Sequence, residues 1–206
     1  MIPHATPHSA WRLRSKTIVV VAVAIFIGAS VAHANTTINT ITTIDRAAAV
    51  GVAAQRIVVV PTGLLFPMES EPRCEVLNNF GGTSKTFGSG GHQGVDIGAN
   101  EGQEVYAVED ATLYAQDTDL SSAPGLGWRL LSVTNTKYRY FHLASFAEGL
   151  AVGDQVRRGD VIGYVGDTGN ATPGGWHLHF EVRPGPTHTP VDPVPLLAIP
   201  ANCNVY

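Results

Sequence analysis

His177-Leu178-His179-Phe180-Glu181-Val182-Arg183 is the stretch on which the fold turns. Polar and apolar residues alternate through it without a break, and in a strand residues two apart face the same side. His177, His179, Glu181 and Arg183 therefore share one polar face, while Leu178, Phe180 and Val182 point into a core. A merely solvated face carries Thr, Ser or Lys. Two imidazoles backed by a carboxylate mark this face as a site.

Outward from this strand the same kind of short run recurs. Glu104 to Val108, Thr112 to Gln116, Trp128 to Asn135, Tyr138 to Leu143 and Val161 to Gly166 read as strands, with tight turns at Gly153-Asp154 and Arg158-Gly159-Asp160. No long helical period and no internal repeat interrupts them. The pattern predicts an all-β domain, a small two-sheet β-sandwich or hybrid barrel with long loops around a groove. Glycines crowd the stretch from Pro67 to Gly94, a loop-rich entrance; it is not a phosphate loop, because no Gly-Lys-Ser/Thr closes it. The proline-rich tail from Pro184 to Pro200 reads as an extended strap over the surface.

The first 34 residues differ from the rest. Arg12, Arg14 and Lys16 precede an apolar run from Thr17 to Ala32 and an Ala32-His33-Ala34 cleavage pattern, the layout of a secretory signal. The alternative, a retained anchor, is disfavoured because the run falls short of the ~20 apolar residues that span a bilayer. Residues 35–62 read as a tether or weak helix, and 63–206 as the working domain. Once the signal is cut, no stable membrane span is expected. The chain after Ala34 has 172 residues, enough for one domain. It carries ten Lys and Arg against 17 Asp and Glu, a net charge of −7 that argues against a nucleic-acid partner. Export also lets Cys74 and Cys203 pair, closing a loop of 129 residues worth roughly 4 kcal/mol in the chain-entropy account. The alternative is two buried thiols; no Cys-x-x-Cys spacing suggests a cysteine metal site.

Three of the eight histidines belong to the signal, and four of the other five fall in three motifs: His92-Gln93-Gly94-Val95-Asp96, Tyr140-Phe141-His142-Leu143 and His177-Leu178-His179. Fully extended, His92 and Asp96 would stand ~13 Å apart. They reach one ion only if the chain bends, which Gly94 and the glycines before it permit. Two His and one Asp suit Zn²⁺ and leave the fourth tetrahedral position open, the arrangement of a catalytic site. No His-Glu-x-x-His helix supplies a base, so the other two histidines are left for proton transfer. Spacing alone does not decide which of His177 and His179 is the ligand.

These motifs, with Ile97-Gly98-Ala99 after Asp96 and the turn and strand from Val152 to Gly163, resemble the lysostaphin-type, LytM-like zinc metallopeptidases that cut bacterial peptidoglycan. The likeness runs from about Phe66 to Leu197. It implies one zinc held by His92, Asp96 and His179, with His142 and His177 as catalytic partners, general base and transition-state donor. It also implies a peptidoglycan peptide as substrate and a place in the periplasm, cell wall or extracellular space. Trp176 before the His-x-His pair, Ala111 in place of a turn glycine, and Gly81-Gly82-Thr83 without an arginine depart from the usual pattern. None is expected to touch a ligand, and Trp176 either lines the groove or packs on the strand end. A relative that has lost its metal and only binds or regulates would show broken ligands, and all five site residues are intact. The Val152 to Val165 segment also resembles biotinyl or lipoyl carrier domains, but no lysine follows Lys137 to carry the group.

Overall fold

The computed structural model describes residues 42–44, 57–83 and 90–206. The expected signal, 1–34, lies outside them, as does most of the expected tether. Within it, β1 (Thr42–Ile44) pairs antiparallel with β2 (Ile57–Val59), and residues 60–62 follow without regular structure. No helix among the described residues is long and apolar enough to cross a membrane.

The remaining strands are β3 (Glu75–Leu77), β4 (Val95–Gly98), β5 (Glu104–Tyr106), β6 (Ala111–Asp117), β7 (Leu126–Ser132), β8 (Lys137–Phe146), β9 (Gln155–Val156), β10 (Val161–Val165), β11 (His177–Arg183) and β12 (Asn204–Val205). They bond in the order β12-β3-β4-β11-β8-β7-β6-β9, and β5-β10 joins through β8. The expected all-β architecture is present, with its two layers joined in one hydrogen-bonded network rather than as separate sheets. β8 makes the junction. Its first half, to Phe141, pairs with β11, and its second half, from Leu143, pairs with β10.

Alternation builds the core. Tyr138 and Tyr140 of β8, Trp128 and Leu130 of β7, Leu178 and Phe180 of β11, and Val95 and Ile97 of β4 are fully buried. Phe180 lies between the two tyrosines, with ring centroids 6.1 and 5.0 Å away. The polar tips of the large rings are satisfied across the layers. Trp128 Nε1 donates to the Ile162 carbonyl on β10 at 2.8 Å, and the Tyr140 hydroxyl accepts from Val108 N, just beyond β5, at 3.1 Å. These bonds fix the β5-β10 ribbon over the inner face, and each buried ring adds about 1.5–3 kcal/mol of apolar burial.

The tail does more than strap the surface. Leu196 and Leu197 enter the core, Leu197 bridges Leu64, and Cys203 is bonded to Cys74. Beyond the disulfide the chain adds β12, parallel to β3, an edge strand that no periodicity announced.

Candidate metal centre and groove

The outer face of β4, β11 and β8 carries the site. His179 stands opposite Asp96 on one side and Phe141 on the other. His92 precedes β4 in a loop held by two backbone bonds, Gly81 N to His92 O at 2.8 Å and His92 N to Gly82 O at 2.9 Å. Those glycines, among the ones expected to permit the bend, thus place one of the ligands. The chain bends as required, but Gly94 serves another purpose. A Cβ there would lie 2.3 Å from the Phe180 carbonyl oxygen, so glycine permits close approach to β11.

His92 Nε2, Asp96 Oδ1 and His179 Nδ1 form a triangle with edges of 3.1, 2.9 and 2.9 Å. Hydrogen-bond accounting shows what it needs. His92 Nδ1 faces the Asn79 carbonyl at 3.2 Å, and His179 Nε2 faces Glu181 Oε1 at 3.2 Å. Both partners can only accept, so these nitrogens carry the protons and lone pairs point inward from Nε2 of His92 and Nδ1 of His179. Three acceptors then converge, and a cation must stand among them. Tetrahedral zinc with bonds of about 2.0–2.1 Å sets its donors roughly 3.3 Å apart, close to these edges. Among the described residues this is the one group of His, Cys, Asp and Glu side chains with such convergence.

The supports are equally specific. Asn79 Nδ2 donates to Asp96 Oδ2 at 2.9 Å, and its Oδ1 accepts from Asp96 N at 3.3 Å. Glu181 also receives Arg183 Nε, and Arg183 reaches on to Gln93 within the first motif. Carboxylate and carbonyl partners of this kind fix the tautomer of a metal-binding imidazole. Burial pushes the Asp96 carboxyl up, but its close contacts with the His179 and His92 imidazoles outweigh that and hold it well below the usual carboxylate range. Burial likewise pushes Glu181 up, and His179 and Arg183 bring it below its ordinary value.

His142 and His177 stand beside the triangle, their ring centroids 4.7 Å apart. His142 Nδ1 donates to the Thr168 carbonyl and His177 Nδ1 to the Gly175 carbonyl, both at 2.7 Å. Each is left with Nε2 as an acceptor; that of His177 lies 3.9 Å from Asp96 Oδ1. Burial, with the neighbouring His177, pushes the His142 imidazolium down to about 4, so this ring is neutral at neutral pH. Strict alternation would place His142 on the core side with Tyr140. A bulge prevents it: Leu126 pairs with Leu143 and Trp128 with Tyr140, so Phe141 and His142 together oppose Gly127. His142 takes a left-handed conformation, φ 64°, that turns its ring into the groove.

All five expected site residues line one groove of about 520 Å³, with Phe141, Arg129 and Arg139 on its β-sheet wall. Trp176 is not among its lining; it is half-buried against the core at the start of β11. Asn79 and Thr168 carried no signal in the sequence, because their contacts are long-range and partly through backbone oxygen.

Comparison with known proteins agrees with the geometry. The chain is 35% identical over 103 residues to the DD-carboxypeptidase/endopeptidase Mpg of Neisseria meningitidis, covering 50% of this chain and 22% of that protein. It is 33% identical over 111 residues to the glycyl-glycine endopeptidase ALE-1 of Staphylococcus capitis, covering 52% and 29%. The chain thus spans less than a third of either relative. Among solved structures, the catalytic domain of a point mutant of the prophage-encoded M23 protein EnpA from Enterococcus faecalis superposes with a TM-score of 0.51 at 25% identity, covering 62% of this chain and 94% of that one. The model of peptidase family M23 matches residues 90–193, half of the chain and all five groove residues, and the chain belongs to that family.

Proposed function

We propose that the chain is an exported zinc-dependent endopeptidase that hydrolyses a peptide bond of bacterial peptidoglycan, with residues 63–206 as its working domain. The observation that carries this reading is the convergence of His92 Nε2, Asp96 Oδ1 and His179 Nδ1 with two acceptor imidazoles beside them. Zinc bound there supplies Lewis-acid polarisation of the peptide carbonyl and acidifies a water.

The chain's own residues do the rest. His142, neutral and fixed by Thr168, offers Nε2 to receive the proton of the attacking water. His177, fixed by the Gly175 carbonyl, offers a second Nε2 within reach of the same space. Once protonated, either ring donates to the developing oxyanion or the leaving nitrogen. Phe141 lines the groove beside His179, its ring near-parallel to the imidazole with centroids 5.9 Å apart, and presents an apolar surface next to the ligand. Digestion of purified wall sacculi by zinc-loaded protein, with and without chelator, followed by mass analysis of released fragments, tests the proposal. Protein with one zinc per chain that releases no peptide fragment overturns it.

A further inference from the structure

Two rows of side chains cross the groove wall one pleat apart. The first is Asp96, His179 and Phe141, which hold or flank the ligand triangle. The second is Glu181 on β11, Arg139 opposite it on β8, and Arg129 opposite Arg139 on β7. Two guanidinium groups directly across a strand pair repel and weaken the sheet unless something neutralises them. The proteolytic chemistry outlined above uses neither.

The carboxylates available do not balance them. Arg129 is held by Asp117 through Nε at 2.8 Å and Nη2 at 2.7 Å. Glu181 gives one oxygen to His179 and the other to Arg183. That leaves Arg139 with a 3.4 Å contact to the already committed Oε2 of Glu181, and its buried Nε has no hydrogen-bond partner among the described residues. Three guanidinium groups thus share two carboxylates, and the surplus charge faces the groove. Both arginines line it, half-buried, where a charged hydrogen bond is stronger than in open water.

We propose that Arg139, with Arg129 beside it, forms an anion subsite for a carboxylate of the substrate peptide. This deepens the peptidase reading and rests on it. The subsite lies two strand residues from the ligand row, roughly 7 Å, so the carboxylate belongs to a residue within about two or three positions of the scissile bond. A run of glycines carries no such group along its length. The preferred substrate is therefore an acidic, stem-type peptide and not a neutral glycine bridge.

The test compares wall-derived peptides bearing free carboxylates, the same peptides with those carboxylates amidated one at a time, and pentaglycine. For the zinc-loaded wild type, one amidation is expected to raise KM about 10- to 100-fold, the range of a lost charge-assisted bond. Arg139→Gln should bring the ratio of free to amidated peptide towards one, and Arg139→Lys should restore part of it. Zinc content and melting temperature of each variant show whether the fold survived. Calorimetric binding of the same peptides to zinc-loaded His142→Ala, which does not depend on turnover, gives a second readout. Equal affinity for free and amidated peptides overturns the subsite, even if sacculi are digested. A preference that persists in Arg139→Gln and Arg129→Gln overturns it as well. Selective binding without hydrolysis by the wild type keeps the subsite and sinks the peptidase reading.

Discussion

Stripping the metal with a chelator and raising the pH of the apoprotein probes the triangle directly. Without metal, a proton is the cation among His92 Nε2, His179 Nδ1 and Asp96 Oδ1. Burial pushes the His179 imidazolium down, but the hydrogen bonds to Asp96 and Glu181 outweigh it and raise its pKa to about 9. An unfolded histidine titrates near about 6.5. A folded value above the unfolded one gives a contribution that is complete below about pH 6.5 and is lost as the pH rises through about 9. At about 1.4 kcal/mol per tenfold in proton affinity, the loss is about 3 kcal/mol, on the order of 10 °C in melting temperature for a domain of this size. His142 works in a different window. Its folded value of about 4 lies below the unfolded one, so its effect is a loss of stability as the pH falls from about 6.5 towards 4. Calorimetric melting in chelator between pH 6 and 10 is the assay, repeated with zinc. The loaded protein should show little alkaline loss, and apparent zinc affinity should rise about tenfold per pH unit across the same window, because metal displaces the proton. Apoprotein stability that is flat or rising between pH 6.5 and 9 would refute the shared-cation account of the triangle.

Four further outcomes follow from the geometry. His179→Ala should lose zinc and hydrolysis together, whereas His142→Ala should keep the metal and lose turnover by roughly 100- to 10,000-fold, measured by zinc titration and peptide release. Glu181→Gln, which weakens the hold on His179 Nε2–H, should lower zinc affinity by about 10- to 100-fold in competition with a chromogenic chelator. Gly94→Ala drives a methyl against the Phe180 carbonyl and should cost about 1–3 kcal/mol in urea unfolding; an unchanged midpoint contradicts the close approach. Reduction of Cys74–Cys203 should cost on the order of 4 kcal/mol and expose the β12 amides to hydrogen exchange.

The strand alternation of residues 177–183 was fully legible in the sequence, because period-two patterning is local and one face is wholly apolar. The ligand set came from motif resemblance, and its coordinating nitrogens came only from the structure. Nothing in the spacing says that His92 binds through Nε2 and His179 through Nδ1; that follows from the Asn79 carbonyl and the Glu181 carboxylate. His142 is the sharpest case, since alternation through Tyr138, Tyr140 and His142 assigns it to the core. The bulge that overturns this is set by Gly127, where a Cβ would collide with the Phe141 ring at 2.5 Å. β12 escaped notice because a two-residue strand is decided by its partner and not by its own composition. Arg129 and Arg139 belong to no motif, and only the β7-β8 register sets them opposite each other.

His142 is also the residue at which β8 leaves β11 and takes up β10. Folding and chemistry therefore share a rivet. Pairing of β4 with β11 brings Asp96 to His179, and the Gly81 and Gly82 backbone bonds add His92, so the ligand set is built without the β5-β10 ribbon. His142, unlike His177, is held from beyond the β5-β10 ribbon, because Thr168 follows β10 and its carbonyl fixes the ring. Loosening the ribbon is thus expected to free the His142 ring while leaving the ligand triangle in place, so that zinc content and turnover separate.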